Sequence, residues 1–432
     1  MHESVQIVFL RLLACGLWGR APERFMEMSE AQWEELHRLA QRQGVLALVY
    51  DGLCTPFPSA SDISDVMLGT MAASPVETPG SAGTRAAATP GTKVTSVAAI
   101  DMMPVELAVR WATEVLENER GYERMASVIE LQRRAWEKRG LEAVLQKGHS
   151  VAAYYPVPEH RSCGDIDWYF PRREDFRMAC RVAQENGLEL KWDSDGDVSY
   201  TLSGMVVEHH RKGMPQDTPE QMLLMLEDHV LKHAMVMGVG LKQVCDVAIL
   251  RHAVANRTAK SRTAANRVSV SSTSAAQCRS AASSAGVTES RPHNTSGSGW
   301  DRQLAGSRWS RLLARAIEHL GLDAPVPLNG SADPAASACN ADLAASSRNG
   351  CAFGLAEPRG RELQSWRRRR ELRDAQRLAE LILEDGNMGL DKENRFSGFA
   401  KRAALFLRYA PVKFLSRWLS LICGRLLRLL HL

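Results

Sequence analysis

Paired cysteines, long apolar runs and a strong charge of either sign are all missing from this chain. Its nine cysteines form no C-x-x-C pair and no Cys/His array. Neither a zinc site nor a disulfide framework is suggested, and reduced thiols in a cytoplasmic protein are expected. Nowhere do 18 uncharged apolar residues follow one another, so no ordinary membrane-spanning helix is expected. The formal net charge of +4 is too small to argue for nucleic acid as a partner. Aromatic residues make up only 6%, and no internal repeat is evident. The opening run MHESVQIVFLRLLACGLWG has no basic region ahead of its apolar stretch, and Arg11 interrupts it. A buried helix is expected there rather than a signal peptide.

What is present is a 432-residue chain, 45% hydrophobic, with enough apolar material for a sizeable core. Residues 1–54 read as helical, with Ser29 capping a helix that carries Trp33, Leu36, Leu39 and Ala40. A second helix is expected through Leu46 to Tyr50. Residues 55–103 change to Pro, Ser, Ala, Thr and Gly without a sustained period. Such a stretch buries too little apolar surface to offset its ordering entropy, so a disordered insertion is expected. The same argument applies to 254–307 and to a loose linker over 327–358. Residues 104–253 then form the central unit. Leu107 to Gln146 reads as helix, with Leu116, Met125, Val128, Ile129, Leu131 and Leu145 as candidate core positions. A further amphipathic helix is expected within 308–326, and C-terminal helices over 359–432.

The most informative stretch is KGHSVAAYYPVPEHRSCGDIDWYFP, from Lys147 to Pro171. Read as a strand, its end puts Asp165, Asp167 and Tyr169 on one face and Ile166, Trp168 and Phe170 on the other. Two carboxylates about 7 Å apart along a strand, at ~3.3 Å per residue, suit one or two Mg²⁺ ions that also carry substrate phosphates. A lone Asp-x-Asp equally suits a solvated turn or a helix cap. Upstream, Gly148 admits a phosphate close to backbone N–H groups, while Lys147 and Arg161 supply positive charge. The alternatives are a plain helix C-cap for the glycine and solvated side chains for the cations. Further on, Val206 to His210 reads as a strand with Val206, Glu208 and His210 on one face. A carboxylate following two valines is costly to bury unless paired or on a metal; an edge-strand glutamate facing water is the competing reading. Asp193 to Asp197 forms an acidic turn that begins like a calcium loop but lacks the later bidentate glutamate, so a hairpin turn is expected. Thr218 and Pro219 open another helix, on which His229 and His233 sit one turn apart. That spacing can chelate a metal, but without a third ligand it is more often packing.

The order Lys147-Gly148, Tyr154-Tyr155-Pro156, Arg161 and Gly164-Asp165-Ile166-Asp167, followed by apolar residues, resembles a known family. It is that of the uncharacterised bacterial nucleotidyltransferases, within the polymerase-β-like nucleotidyltransferase superfamily. The resemblance implies an α+β fold, with a small mixed-sheet nucleotidyltransferase core embedded in helices and interrupted by long insertions. It implies Asp165 and Asp167 as metal ligands, with Glu208 as the third carboxylate. Two Mg²⁺ ions, an NTP and an unidentified hydroxyl acceptor are the expected ligands. Lys147, Gly148, Arg161 and Gly164 are the expected nucleotide-binding residues. Family members also carry a His on a later helix and then glycine, basic and apolar residues and an Asp, which match His233, Gly240-Leu241-Lys242 and Asp246. Gly386-Asn387-Met388-Gly389 is similar to a late Gly-Asn motif. Two departures stand out: His149 replaces the usual Ser or Gly, and the gap from Gly148 to Asp165 is long. They fit a rival reading, a catalytically inactive nucleotide-binding or partner-binding protein on the same fold.

The tail, Phe399 to Leu432, holds Lys401, Arg402, Arg408, Lys413, Arg417, Arg425 and Arg428 and no acidic residue. Apolar residues lie between these cations, the composition of a helix resting on an anionic membrane surface. The competing reading packs its apolar stripe on the protein and leaves the cations outside, with Pro411 dividing it in either case. A cytoplasmic protein with peripheral contact at the inner membrane surface is one expectation. Arg367 to Arg370, in a charged helix expected over Glu362 to Asp385, fit a solvated face best.

Overall fold

The computed structural model describes residues 4–20, 27–56, 98–193, 196–213, 218–236, 238–275, 307–325, 358–385, 399–416 and 418–419. Helix α1 (Val5–Trp18) buries Phe9, Leu12, Leu13 and Leu17. After it comes α2 (Glu30–Arg42), closed by a capping box. The Gln32 N–H donates to the Ser29 hydroxyl, and the Ser29 N–H donates to the Gln32 side chain. Helix α3 (Leu46–Cys54) crosses α1 at two glycines. A Cβ on Gly16 would lie 1.8 Å from the Leu48 carbonyl oxygen, and one on Gly52 2.1 Å from that of Leu12. The two backbones touch because neither position carries a side chain.

Helix α4 (Val105–Glu137) belongs to two cores at once. Leu107, Trp111 and Val115 join the cluster built on α1 and α3, whereas Met125, Val128, Ile129 and Trp136 join one built on the sheet. The buried positions follow three- and four-residue steps, as a helix facing one way requires. Leu116 and Leu131 fall off that stripe and are 49% and 58% exposed, which corrects their placement in the core. Adjacent residues on a helix point about 100° apart, so Val115 takes the inward place and Leu116 loses it.

The helix expected to run on to Gln146 stops at Glu137, and Gly140 (φ +65) turns the chain. Val144–Gln146 forms strand β1 instead, antiparallel to β2 (Asp165–Tyr169). Three apolar-flanked residues are too few for periodicity to tell strand from helix. Between the two strands lies the short helix α5 (Gly148–Ala152). Helix α6 (Arg173–Glu185), the two-residue β3 (Lys191–Trp192) and β4 (Val198–Leu202) then lead to β5 (Met205–His210). The strand order is β1-β2-β5-β4-β3, with β2 and β5 parallel and the other neighbours antiparallel. Parallel neighbours need a long connection, and α6 with the β3–β4 hairpin supplies it. The acidic turn is thus the hairpin turn expected, with the Asp197 N–H bonded to Asp193 Oδ1 at 2.9 Å. One face of the sheet, with Ile166, Trp168, Tyr200 and Val207, is buried against α4 and α6.

A helical lobe completes the fold: α7 (Pro219–Val236), α8 (Leu241–Ala275), α9 (Arg308–His319), α10 (Pro358–Asp385) and α11 (Phe399–Tyr409). Buried Glu227 ties three of these together. It accepts from Arg251 at 2.6 Å and from the Ser310 hydroxyl at 3.0 Å, and its backbone carbonyl accepts from the Trp309 indole at 2.9 Å. Helix α8 continues through Ala275, so the first part of the stretch expected to be irregular from 254 is helical. Residues 57–97, 276–306 and 326–357, the bulk of the three expected insertions, lie outside the described residues, as does Gly386-Asn387-Met388-Gly389. The result is the mixed α+β architecture expected, a five-stranded sheet embedded in helices.

Candidate active site

The parallel pairing of β2 and β5 builds the site. Its register sets Asp167 opposite Glu208 and Asp165 opposite Val206. Because side chains alternate along a strand, Asp165, Asp167, Glu208 and His210 all rise from the face that α4 and α6 leave uncovered. Ile166, Trp168, Val207 and His209 anchor the other face and are 2% exposed or less. His209 is held there by Tyr200, whose hydroxyl lies 2.9 Å from Nε2. Burial, and then His210, pulls the pKa of His209 down to about 3, so it is neutral at physiological pH. The Tyr200 hydroxyl accepts from Gln132 at 2.8 Å, and Gln132 accepts from the Trp168 indole at 2.9 Å. This buried chain stitches β2, β4 and β5 to α4 directly beneath the acidic face.

Asp167 is the centre of the cluster. Its side chain is wholly buried, and Oδ1 receives the Lys147 ammonium at 2.9 Å and His210 Nε2 at 2.8 Å. Burial alone would raise its pKa, but Lys147 and then His210 outweigh that and hold the carboxyl well below the usual range. Its second oxygen, Oδ2, is buried without a hydrogen-bond partner. Glu208 stands at the rim, 35% exposed, with Oε2 3.4 Å from His210 Nε2. Burial, followed by Asp167 and Asp165, raises the pKa of Glu208; burial and then Asp167 raise that of Asp165. Asp165 and Glu208 therefore each feel the charge of Asp167, which is itself met by Lys147 and His210. Among the described residues, Asp167, Glu208 and His210 form the one group of three candidate donors whose ligand atoms lie within 4.8 Å of one another. A cation fits this setting. It would satisfy the orphaned Oδ2 of Asp167 and relieve the repulsion among the carboxylates.

Lys147 and Gly148 turn the chain sharply from β1 into α5. Lys147 has φ 51 and ψ −143, a conformation that costs an L-residue of order 1–3 kcal/mol. Gly148, at φ +32, passes so close to β2 that a Cβ there would lie 3.3 Å from the Asp165 carbonyl oxygen. The strained turn points the Lys147 ammonium at Asp167. Burial lowers the pKa of that ammonium, and Asp167 more than compensates, leaving it raised. Gly164 is exposed, immediately ahead of Asp165. Arg161 is placed differently. It is buried and engages Asp246 of α8 through Nε and Nη2, each at 2.7 Å, and the Tyr155 hydroxyl donates to the same carboxylate at 2.7 Å. From the helical lobe, Lys242 on α8 is close enough to lower the pKa of Asp165, and His229 on α7 to feel the charge of Lys147. The His229 and His233 rings stand edge to face with centroids 4.1 Å apart. His149 packs its ring against Tyr122, centroids 3.8 Å apart.

Two members of the site, His210 and Asp197, carried no role in the sequence reading. For His210 a signal existed, since period-two alternation put it on the face of Glu208. Asp197 Oδ2 lies 2.9 Å from His210 Nδ1. It gets there because β4 and β5 pair Val198 with His209, a register that sequence patterning did not supply.

Residues 29–221 match the model of a family described as uncharacterised nucleotidyltransferase. No curated protein and no solved structure matches the chain. The matched stretch spans α2 through the first turn of α7 and contains every residue of the acidic cluster. Over residues 29–221, then, the chain is similar to the uncharacterised nucleotidyltransferase family.

Proposed function

We propose that this protein is a nucleotidyltransferase that moves an NMP unit from an NTP to a hydroxyl acceptor. The observation that carries the reading is the placement of Asp165, Asp167 and Glu208 on one sheet face, beside the Lys147-Gly148 turn. Asp165 and Asp167 would hold a divalent cation on the triphosphate, and Glu208 would help them hold a second. When bound, such ions neutralise the phosphates and lower the pKa of the attacking hydroxyl. The acceptor oxygen forms its new bond to the α-phosphorus as the bond to pyrophosphate breaks, and pyrophosphate leaves with the displaced electron pair. The second carboxylate oxygen of Glu208, at the rim of the site, receives the proton of the acceptor. Lys147 and Lys242, whose charges both reach Asp165, supply positive charge to the phosphates, and Gly148 and Gly164 put no side chain in their way. Arg161 acts as a strut between the loop ahead of β2 and α8, since Asp246 takes two of its N–H groups.

Incubation with each of the four α-labelled NTPs, Mg²⁺ and a cell extract tests this reading. Label transfer in the wild type, abolished in Asp165→Ala/Asp167→Ala, supports it. Binding of Mg²⁺-ATP without pyrophosphate release, unchanged in Asp167→Ala, selects the inactive binding module instead.

The reading extends to an anionic membrane surface as a partner. Among the described residues, Leu407, Val412, Leu415, Trp418 and Leu419 are 43–79% exposed, within a tail that has seven cations and no carboxylate. Leu405, Phe406 and Phe414 pack inward, so the tail both docks on the lobe and presents an apolar edge. No described helix is long and apolar enough to cross a membrane, and the contact is peripheral.

A further inference from the structure

We propose that the cation at this site is held by a nitrogen as well as by carboxylates, through His210, so that the site prefers a transition-metal dication to Mg²⁺. The inference rests on the metal-dependent reading above and deepens it. His210 Nε2 lies 2.8 Å from Asp167 Oδ1 and 3.4 Å from Glu208 Oε2. Neighbouring ligands on a six-coordinate ion with bonds of about 2.1 Å stand ~3 Å apart, and these separations bracket that value. The buried Oδ2 of Asp167, which has no hydrogen-bond partner, leaves a further carboxylate donor unsatisfied on the same residue.

The second observation is on the far side of the ring. His210 Nδ1 lies 2.9 Å from Asp197 Oδ2, while Asp197 Oδ1 accepts from the Arg211 backbone N–H at 3.1 Å. A carboxylate fixed by its own hydrogen bond and holding the outer nitrogen of a histidine is the arrangement that orients metal-ligating imidazoles. It keeps Nδ1 protonated, so that a bound cation would replace only the Nε2 proton that Asp167 now accepts. The hairpin turn therefore has a task, placing Asp197 behind His210. Imidazole donors favour later first-row ions, whereas Mg²⁺ takes oxygen donors and holds its water. One imidazole among carboxylates shifts the site toward ions of the Mn²⁺ type without excluding Mg²⁺.

Titration of the full chain with Mn²⁺, followed by electron paramagnetic resonance without nucleotide, measures the binding, and Mg²⁺ competition gives the preference. Mn²⁺ should bind at least about tenfold more tightly than Mg²⁺. The bound ion should show hyperfine coupling to a histidine nitrogen that disappears in His210→Gln. Asp197→Asn, whose effect does not require loss of the ligand itself, should weaken Mn²⁺ by about 10–100-fold with less effect on Mg²⁺. If His210 is instead a cation that competes with the metal, His210→Gln tightens Mn²⁺ binding and no nitrogen coupling appears in the wild type. That result overturns the proposal and leaves the nucleotidyl-transfer reading standing. Failure of the wild type to hold either ion, with or without ATP, together with no label transfer, removes both.

Discussion

Arg161 and Asp246 are the pair whose loss should be felt most at the level of single residues. Both are nearly fully buried and share two bonds of 2.7 Å, so removing one leaves the other charged and uncompensated. Asp246→Ala should lower stability by about 3–5 kcal/mol, read from the midpoint of urea unfolding. Replacing both by apolar residues should restore much of the loss, an outcome that would separate the strut from any role in phosphate binding. His160 offers a test by pH. Its Nδ1 meets Asp51 of α3 at 2.8 Å and its Nε2 meets Glu119 of α4 at 2.9 Å. Burial lowers its pKa, the two carboxylates outweigh that, and the net value is raised. A group that binds its proton more tightly when folded contributes stability below its unfolded pKa and loses it as pH rises through the folded one. The melting temperature of the wild type should therefore exceed that of His160→Gln by most near pH 6, with the gap closing above that. A gap that widens with pH would refute the assignment. At this scale period two sorted Asp165 with Asp167, and Glu208 with His210, by strand face, and the β2–β5 register puts the four on one face. The sequence did not show that Arg161 would turn to Asp246, 85 residues away, since a side chain's partner is fixed by tertiary contact.

Among the elements, the crossing of α1 and α3 is the tightest joint. Gly52→Ala would bring a methyl group to 2.1 Å from a backbone carbonyl. The helices would have to separate, at a cost of about 1–3 kcal/mol. Thermal unfolding measures it, and a neutral result would mean that this crossing is looser than described. The helices themselves were largely legible: Ser29 is the cap expected, and Trp309, Leu312, Leu313 and Ala316 are buried at helical spacing, whereas the Ser307 cap was not read. Strand β1 was not, because Ala143-Val144-Leu145 has no period of its own and becomes a strand only by pairing with β2. The helical run from 254 to 275 was missed for the opposite reason. Its composition is that of a linker, and α8 simply carries on into it.

For the whole molecule, the proposed membrane contact through the tail is tested with vesicles. Full-length protein should sediment with vesicles containing anionic lipid and not with neutral ones, and raised salt should weaken the binding. Val412→Asp with Leu415→Asp, at exposed positions that the fold does not need, should reduce that binding at least about tenfold and leave label transfer unchanged. Equal partition onto neutral vesicles, or none onto anionic ones, would remove the membrane from the account.

Helix α4 has a bearing on how this protein is handled at the bench. A fragment trimmed to the sheet and its flanking helices, beginning near residue 104, would keep the acidic residues but strip Leu107, Trp111 and Val115 of the α1–α3 part of their core. Such a piece should aggregate rather than catalyse. The intact chain should melt in one step, as a beam nailed into two walls brings both down together.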